Sequence, residues 1–212
     1  MGWRALLKAV PDCLTDGGPV PTLLHSELIA QLEALRTATA RITALDKRID
    51  TWQRAESECR RIAAVPGVGP LIASAVVASV ADARQFRSAR EFAAYLGLVP
   101  GQSGTGGRVK LLGISKRGDT YLRMLFIQGA RSLLLSHSRR RRDRPLDIWL
   151  GELLKRRPNN VVAVALANKM ARTIWALLAH GRMFDAGWHR ATATAPFDPA
   201  QSASVLVNAV NG

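Results

Sequence analysis

From Thr22 to Arg61 the chain has no glycine and no proline, and Leu28, Leu32, Leu35, Ile42, Leu45, Ile49 and Trp52 recur at spacings of 4, 3, 7, 3, 4 and 3. Apolar residues three and four apart on an unbroken helix share one stripe. The pattern predicts one long heptad-like helix over 22–60, with Thr22 or Ser26 available as its cap. A single helix cannot bury such a stripe, so it needs a partner. Two are open: a second copy in a coiled coil, giving a homo-oligomer, or packing within a larger protein. Upstream, residues 1–21 read as a short helix broken by Pro11 and a linker with Gly17, Gly18, Pro19 and Pro21.

The next unit, Arg61–Val80, has the sequence RIAAVPGVGPLIASAVVASV. An apolar helix end, a Pro-Gly-Val-Gly turn and an Ala-rich second helix make a helical hairpin. Gly67 and Gly69 permit positive φ and close backbone approach, and Pro70 suits a first helical turn. This resembles a helix-hairpin-helix motif, in which turn and helix-terminal N–H groups hold a DNA phosphate without reading sequence. Residues 82–99 read as a further amphipathic helix, capped by Asp82 or Ser88 and ended by Gly97. Arg84, Arg87 and Arg90 share a face of it and point to solvent or phosphate.

Charge is distributed unevenly. Lys and Arg number 30 against 16 Asp and Glu, a net +14, and 24 of the 30 cations are Arg. Residues 1–99 carry a net +2, whereas 100–190 carry +13. A local excess of forked donors is the footprint of a phosphate-binding surface rather than of a uniformly charged one. Inside that segment, Pro100–Gly107 (PGQSGTGG) has four glycines in eight residues and reads as a loop. A loop so costly in conformational entropy serves where backbone must approach a ligand. Arg108, Lys110, Lys116, Arg117 and Arg123 follow it, with Ser115 and Thr120 as hydroxyls and Asp119 as a helix cap. The spacing matches no nucleotide P-loop. Five arginines in the six positions 139–144 add a polybasic run, of which Arg139, Arg140, Arg141 and Arg142 are contiguous.

Three segments, VPGVGPLIASAVVASV, REFAAYLGLVP and GTGGRVKLLGISKRGDTYLRMLFIQGAR, occur in this order. With their spacing they resemble the C-terminal transposase domain of the insertion-sequence "one-ten" transposases, the Piv/MooV-type recombinases, over about residues 22–188. The resemblance implies a domain that contributes a nucleophilic serine to DNA strand exchange through a phosphoseryl intermediate. It implies a partner RuvC-like domain whose acidic tetrad holds a divalent metal, expected to be Mg, and a structured guide RNA. That domain precedes the linking helix in the family, so the chain is expected to be N-terminally truncated and inactive alone. Family position leaves two nucleophiles open, Ser103 in a Ser-Gly pair and Thr105 in the ungapped register.

Residues 120–138 read as an apolar core helix, 147–157 as a short helix with Trp149, and 160–180 as a last core helix capped by Asn159. His180 is expected at the surface near its end, Phe184, Asp185 and Trp188 folded back, and 191–212 as a disordered tail. The domains expected are thus 1–21, 22–60, 61–190 and the tail, in an all-α fold. Cys13 and Cys59 are too few for a disulfide framework or a zinc site. No signal peptide or unbroken apolar span is visible. Composition points to a soluble, intracellular chain attracted to polyanions, and the resemblance implies a bacterial cytoplasmic, nucleoid-associated DNA-binding protein. The alternatives are a non-catalytic basic nucleic-acid-binding module and an oligomerisation remnant.

Overall fold

The computed structural model describes residues 3–14, 18–104, 110–137 and 144–185. Its elements are α1 (Trp3–Cys13), α2 (His25–Ala55), α3 (Ser57–Ala63), α4 (Pro70–Ser79), α5 (Ala89–Tyr95), β1 (Pro100–Ser103), β2 (Lys110–Ile114), α6 (Thr120–His137), α7 (Pro145–Leu154) and α8 (Asn159–Ala179). The fold is all-α, as its sequence periodicity demands, with one antiparallel hairpin set into it. The chain divides into two compact units, 1–52 and 53–212.

In the first unit Pro11 does not break α1 but lies in its last turn, where it forfeits one helical hydrogen bond, to the Leu7 carbonyl, and the helix ends two residues later. Neither Thr22 nor Ser26 caps α2. A 3-10 turn over Thr22–Leu24 precedes it, the Leu24 N–H donating to Pro21 O. The heptad stripe is largely open: Leu32 is buried, whereas Leu35, Ile42, Leu45 and Trp52 stand 38–59% exposed. The long helix also ends earlier than the absence of glycine and proline implies. At Glu56 the backbone turns extended, with φ −80° and ψ 124°. Arg60 compensates for the break by donating to the freed carbonyls of Arg54, at 2.6 Å, and Ala55, at 3.0 Å, a cationic C-cap.

The second unit is built around α8. Val162, Leu166, Met170, Ile174 and Leu177 are buried along it, against α6, α5, α3 and α7. By length and composition α8 could cross a membrane, but half of its apolar window lies inside the protein; it is the core helix. Asn159 is its first residue and not its cap. Pro158 holds the N-cap position with φ −61° and ψ 150°, and its carbonyl accepts from Val161 and Val162. The expected helix over 82–99 is two pieces, because both proposed caps act. Asp82 accepts from the Arg84 N–H at the head of a 3-10 turn over Ala83–Gln85, and Ser88 accepts from the Glu91 N–H at the head of α5. Trp175 Nε1 donates to Ala83 O at 3.0 Å and pins the 3-10 turn to α8. Phe184 packs on the core, and His180 is exposed, edge-on to Trp175. Trp188 and the 191–212 tail lie outside the described residues.

The α3–α4 hairpin is fixed by two glycines on opposite elements. Gly67 has φ +87°, and its carbonyl oxygen occupies the place where a Cβ on Gly129 of α6 would stand. Ile72 Cδ1 lies 2.6 Å from that same place. Alanine at 129 gains about 1 kcal/mol of helix propensity but loses about 1–3 kcal/mol to overpacking against backbone that cannot yield. Gly129→Ala is therefore expected to destabilise the chain by up to about 2 kcal/mol in urea unfolding. Gly69→Ala, with nothing within 4 Å of its Cβ position, is expected to leave stability nearly unchanged.

Candidate nucleic-acid interface

The segment that reads as a glycine-rich loop forms a hairpin. Pro100 pairs with Ile114, Gln102 with Leu111 and Ser103 with Lys110, with a bulge between Pro100 and Gln102. Glycine-diluted strands this short do not hold themselves together. Their base is tied to the end of α5 by three backbone bonds: Ser115 N–H to Val99 O at 2.8 Å, Lys116 N–H to Gly97 O at 3.2 Å and Asp119 N–H to Tyr95 O at 3.0 Å. The approach is so close that a Cβ on Gly97 would fall on Arg117 O, and one on Gly118 on Tyr95 O. Both glycines have positive φ, as does Lys116 at 56°. For a lysine that conformation costs about 1–2 kcal/mol and is typical of backbone held by its surroundings at functional sites. Asp119 caps α6 as expected, accepting from the Leu122 N–H at 2.8 Å.

Arg123 does not face nucleic acid. It is 9% exposed, and its guanidinium donates to Leu96 O at 3.2 Å, Arg117 O at 3.5 Å and Thr120 Oγ1 at 3.1 Å. Its position one helical turn into an apolar helix carries it inward, where the carbonyls left open at the end of α5 need a donor. Arg123 is thus part of the scaffold.

A groove of about 970 Å³ opens between α5, the hairpin and α8. Lys116, Arg117 and Ser115 line it, together with Gln102 of β1 and two arginines that the sequence pattern does not assign to a site, Arg90 and Arg172. No carboxylate is among the described residues that line it. The four cations are exposed, and none has an ion-pair partner among the described residues. Neighbouring arginines are neutralised: Arg84 pairs with Asp82 and Arg87 with Glu91. Arg90 is legible in the sequence as a cation facing solvent or phosphate, whereas Arg172 is hidden in a run that reads as core. The groove is cationic and open, and Ser103 stands exposed one residue beyond Gln102.

Gly67 and Gly69 lie away from these lining residues, in the α3–α4 turn. Gly67 serves the contact with α6, and Gly69 is the N-cap of α4 with its side open. Lys110 is placed as the partner of Ser103 in the hairpin. Thr105, Arg108 and Arg139–Arg142 lie outside the described residues.

Residues 59–145, from α3 through the hairpin and α6 to the start of α7, match the transposase IS116/IS110/IS902 family. The chain carries a domain of that family. It is 49% identical over 184 residues to a probable family 20 transposase of Pseudomonas aeruginosa, covering 86% of this chain and 53% of the relative. It is 42% identical over 187 residues to the transposase for insertion sequence element IS1111A of Coxiella burnetii, covering 88% and 46%. A third relative, the transposase for element IS1328 of Yersinia enterocolitica, is 37% identical over 145 residues, covering 68% and 42%. The chain spans about half the length of the curated relatives it matches. The family segment holds Ser103 and three of the four groove cations, whereas Arg172 comes from α8 beyond it.

A second polar cluster stands at the two ends of the arginine run. His137 closes α6, Arg144 precedes α7, and both meet Asp147, whose side chain is 1% exposed. His137 Nδ1 lies 3.2 Å from Asp147 Oδ1, and Arg144 Nε donates to Oδ2 at 2.8 Å. Burial by itself would raise the Asp147 pKa, but hydrogen bonds from Arg144 and His137, with their charges, outweigh it and hold the carboxyl below 3.8. A carboxyl held low in the folded state contributes stability above its unfolded value, and that stability is lost as pH falls through the folded one. Unfolding free energy is therefore expected to decline as pH drops below about 4. Asp147→Asn, which leaves the guanidinium without its counter-charge, should cost about 2–3 kcal/mol at neutral pH and flatten that decline. Urea titrations across the acid range read both.

Proposed function

We propose that this chain is the DNA-contacting, hydroxyl-bearing part of an insertion-sequence transposase, and that it acts in DNA transposition. One observation carries the reading: a groove whose four cations have no ion-pair partner among the described residues, lined by Gln102, the strand residue next to the exposed Ser103. Such cations would hold the phosphates on either side of a reacting phosphodiester and offset the charge that builds on it. The Ser103 oxygen would form a bond to phosphorus while one phosphorus–oxygen ester bond to deoxyribose breaks, the departing oxygen taking up a proton. The phosphoseryl ester would conserve the bond for rejoining to a second strand. Thr105 is the alternative hydroxyl. Strand exchange in this reading needs an acidic-tetrad domain with its Mg supplied by other residues. Among the described residues no group of three or more His, Cys, Asp or Glu comes together to hold a metal ion.

The α3–α4 turn would add a second, sequence-independent grip, since the first-turn N–H groups of α4 have no helical acceptor. A structured guide RNA is a further partner in this reading, and the bacterial nucleoid its place of action. The exposed stripe of Leu35, Ile42, Leu45 and Trp52 favours a homo-oligomer paired through α2 as a coiled coil. On that observation rests the second reading, an oligomerising DNA-binding module without chemistry.

The test mixes the chain with DNA and an acidic-tetrad domain supplied in trans, and seeks a covalent protein–DNA adduct. Loss of the adduct in Ser103→Ala supports the role given to Ser103. Persistence there with loss in Thr105→Val moves the role to Thr105, and no adduct in any mixture leaves the binding module. For the groove, replacing Arg90 and Arg172 by Ala should flatten the log–log salt dependence of DNA affinity by about two units, roughly one for each phosphate no longer neutralised.

A further inference from the structure

Beside the cationic groove lies a second cavity of about 550 Å³. The two share a wall, because Pro100, Leu112, Gly113, Ile114 and Asn168 border both. The opposite wall is α8, through Val161, Val164 and Ala165, with Asn160 beside them. None of the described residues that line this slot is charged. Leu112 and Val161 leave about half of their surface in water, 52% and 50%. Apolar surface of that kind beside a ligand groove marks a place where something apolar binds.

The two amides are already oriented. Asn168 Nδ2 donates to Leu98 O at 3.1 Å, which leaves its carbonyl oxygen as an acceptor. Asn160 Oδ1 accepts from Arg131 Nη2 at 3.3 Å, which leaves its NH₂ as a donor. Both amides lie on α8, about 12 Å apart along its axis, so either the acceptor of Asn168 or the donor of Asn160, not the two together, is available to a base edge. A closed duplex would bring phosphates to the groove but keep its bases stacked, and the slot would stay wet. A strand with an unpaired residue would bring both parts. Among the described residues no aromatic side chain lines the slot, so these walls are not a platform for a run of stacked bases; they have room for one base enclosed by aliphatic side chains.

We infer that groove and slot together hold one unpaired DNA nucleotide, its phosphate among Arg90, Lys116, Arg117 and Arg172 and its base between Leu112 and the Val161–Ala165 face of α8. This rests on the reading of the groove as a phosphate track. It adds the substrate class: the strand presented beside Ser103 is locally unpaired, as in a melted or branched junction.

The experiment measures anisotropy of labelled DNA with the full 212-residue chain. Three probes share one sequence: a single strand of about 16 nucleotides, its closed duplex and the RNA version of the strand. Ala165→Phe fills the slot, and Val161→Gln, at an exposed position, makes its rim polar without entering the core. Both are expected to weaken single-strand binding about tenfold while duplex binding changes less than about twofold. Arg90→Ala with Arg172→Ala is expected to weaken both. If the arginine substitutions weaken binding but the slot substitutions change neither probe, or both probes equally, the nucleotide slot is overturned and the groove stands. If the chain binds no probe, or binds indifferently to those arginines, the groove reading itself falls and the slot with it. Slot-dependent binding confined to the RNA strand overturns DNA as the occupant.

Discussion

The Arg123 guanidinium lies almost wholly inside the protein, between the end of α5 and the loop ahead of α6, and donates to Leu96 O, Arg117 O and Thr120 Oγ1. A helix end leaves carbonyls without helical partners, and here a buried cation supplies the donor. The loop can then press onto α5 closely enough that only glycine fits at 97 and 118. From that contact the hairpin projects, and from the hairpin the groove and slot take one wall. Removing the guanidinium would leave buried carbonyls unpaired at the root of the site. The groove therefore depends on a charge that never touches it.

The same economy explains which cations remain for a ligand. Along residues 82–91, carboxylates at Asp82 and Glu91 take Arg84 and Arg87, leaving Arg90 free to face the groove. Lys116 is held in left-handed backbone that a lysine does not favour. Converging cations repel one another, and in the free protein only solvent and salt screen them. A polyanion would relieve that repulsion, so part of the binding energy of such a groove is stored in the folding of the unliganded chain.

Much of the helical frame is legible in the sequence, because periodicity and capping chemistry are local. Asp82, Ser88 and Asp119 act as caps, and the apolar stripes of α6 and α8 face the core. What escapes is set by contacts distant in sequence. The hairpin cannot be read from PGQSGTGG, since its pairing is imposed by the bonds from Ser115, Lys116 and Asp119 back to Val99, Gly97 and Tyr95. Arg123 looks like its cationic neighbours until its place on α6 turns it inward. Glu56 ends α2 without a glycine or proline because Arg60 can satisfy the carbonyls it frees.

Arg172 is the most instructive of these, because it lies on a helix long and apolar enough to cross a membrane. On α8 the core positions fall at 162, 166, 170, 174 and 177, while Val161, Ala165, Asn168 and Arg172 follow each other three or four residues apart along a neighbouring stripe. That second stripe grades from apolar to amide to cation over about three turns of helix. It presents in order the slot wall, the oriented amide and the groove arginine. One helix thus fills the core with one face and grades polarity along the next, and its rigid spacing fixes the distance between the slot and the groove. A loop carrying the same residues could not set that distance, because each added rotamer would blur it. The core helix is in this sense the ruler of the two cavities, which is why its place in the core and its part in lining them cannot be separated.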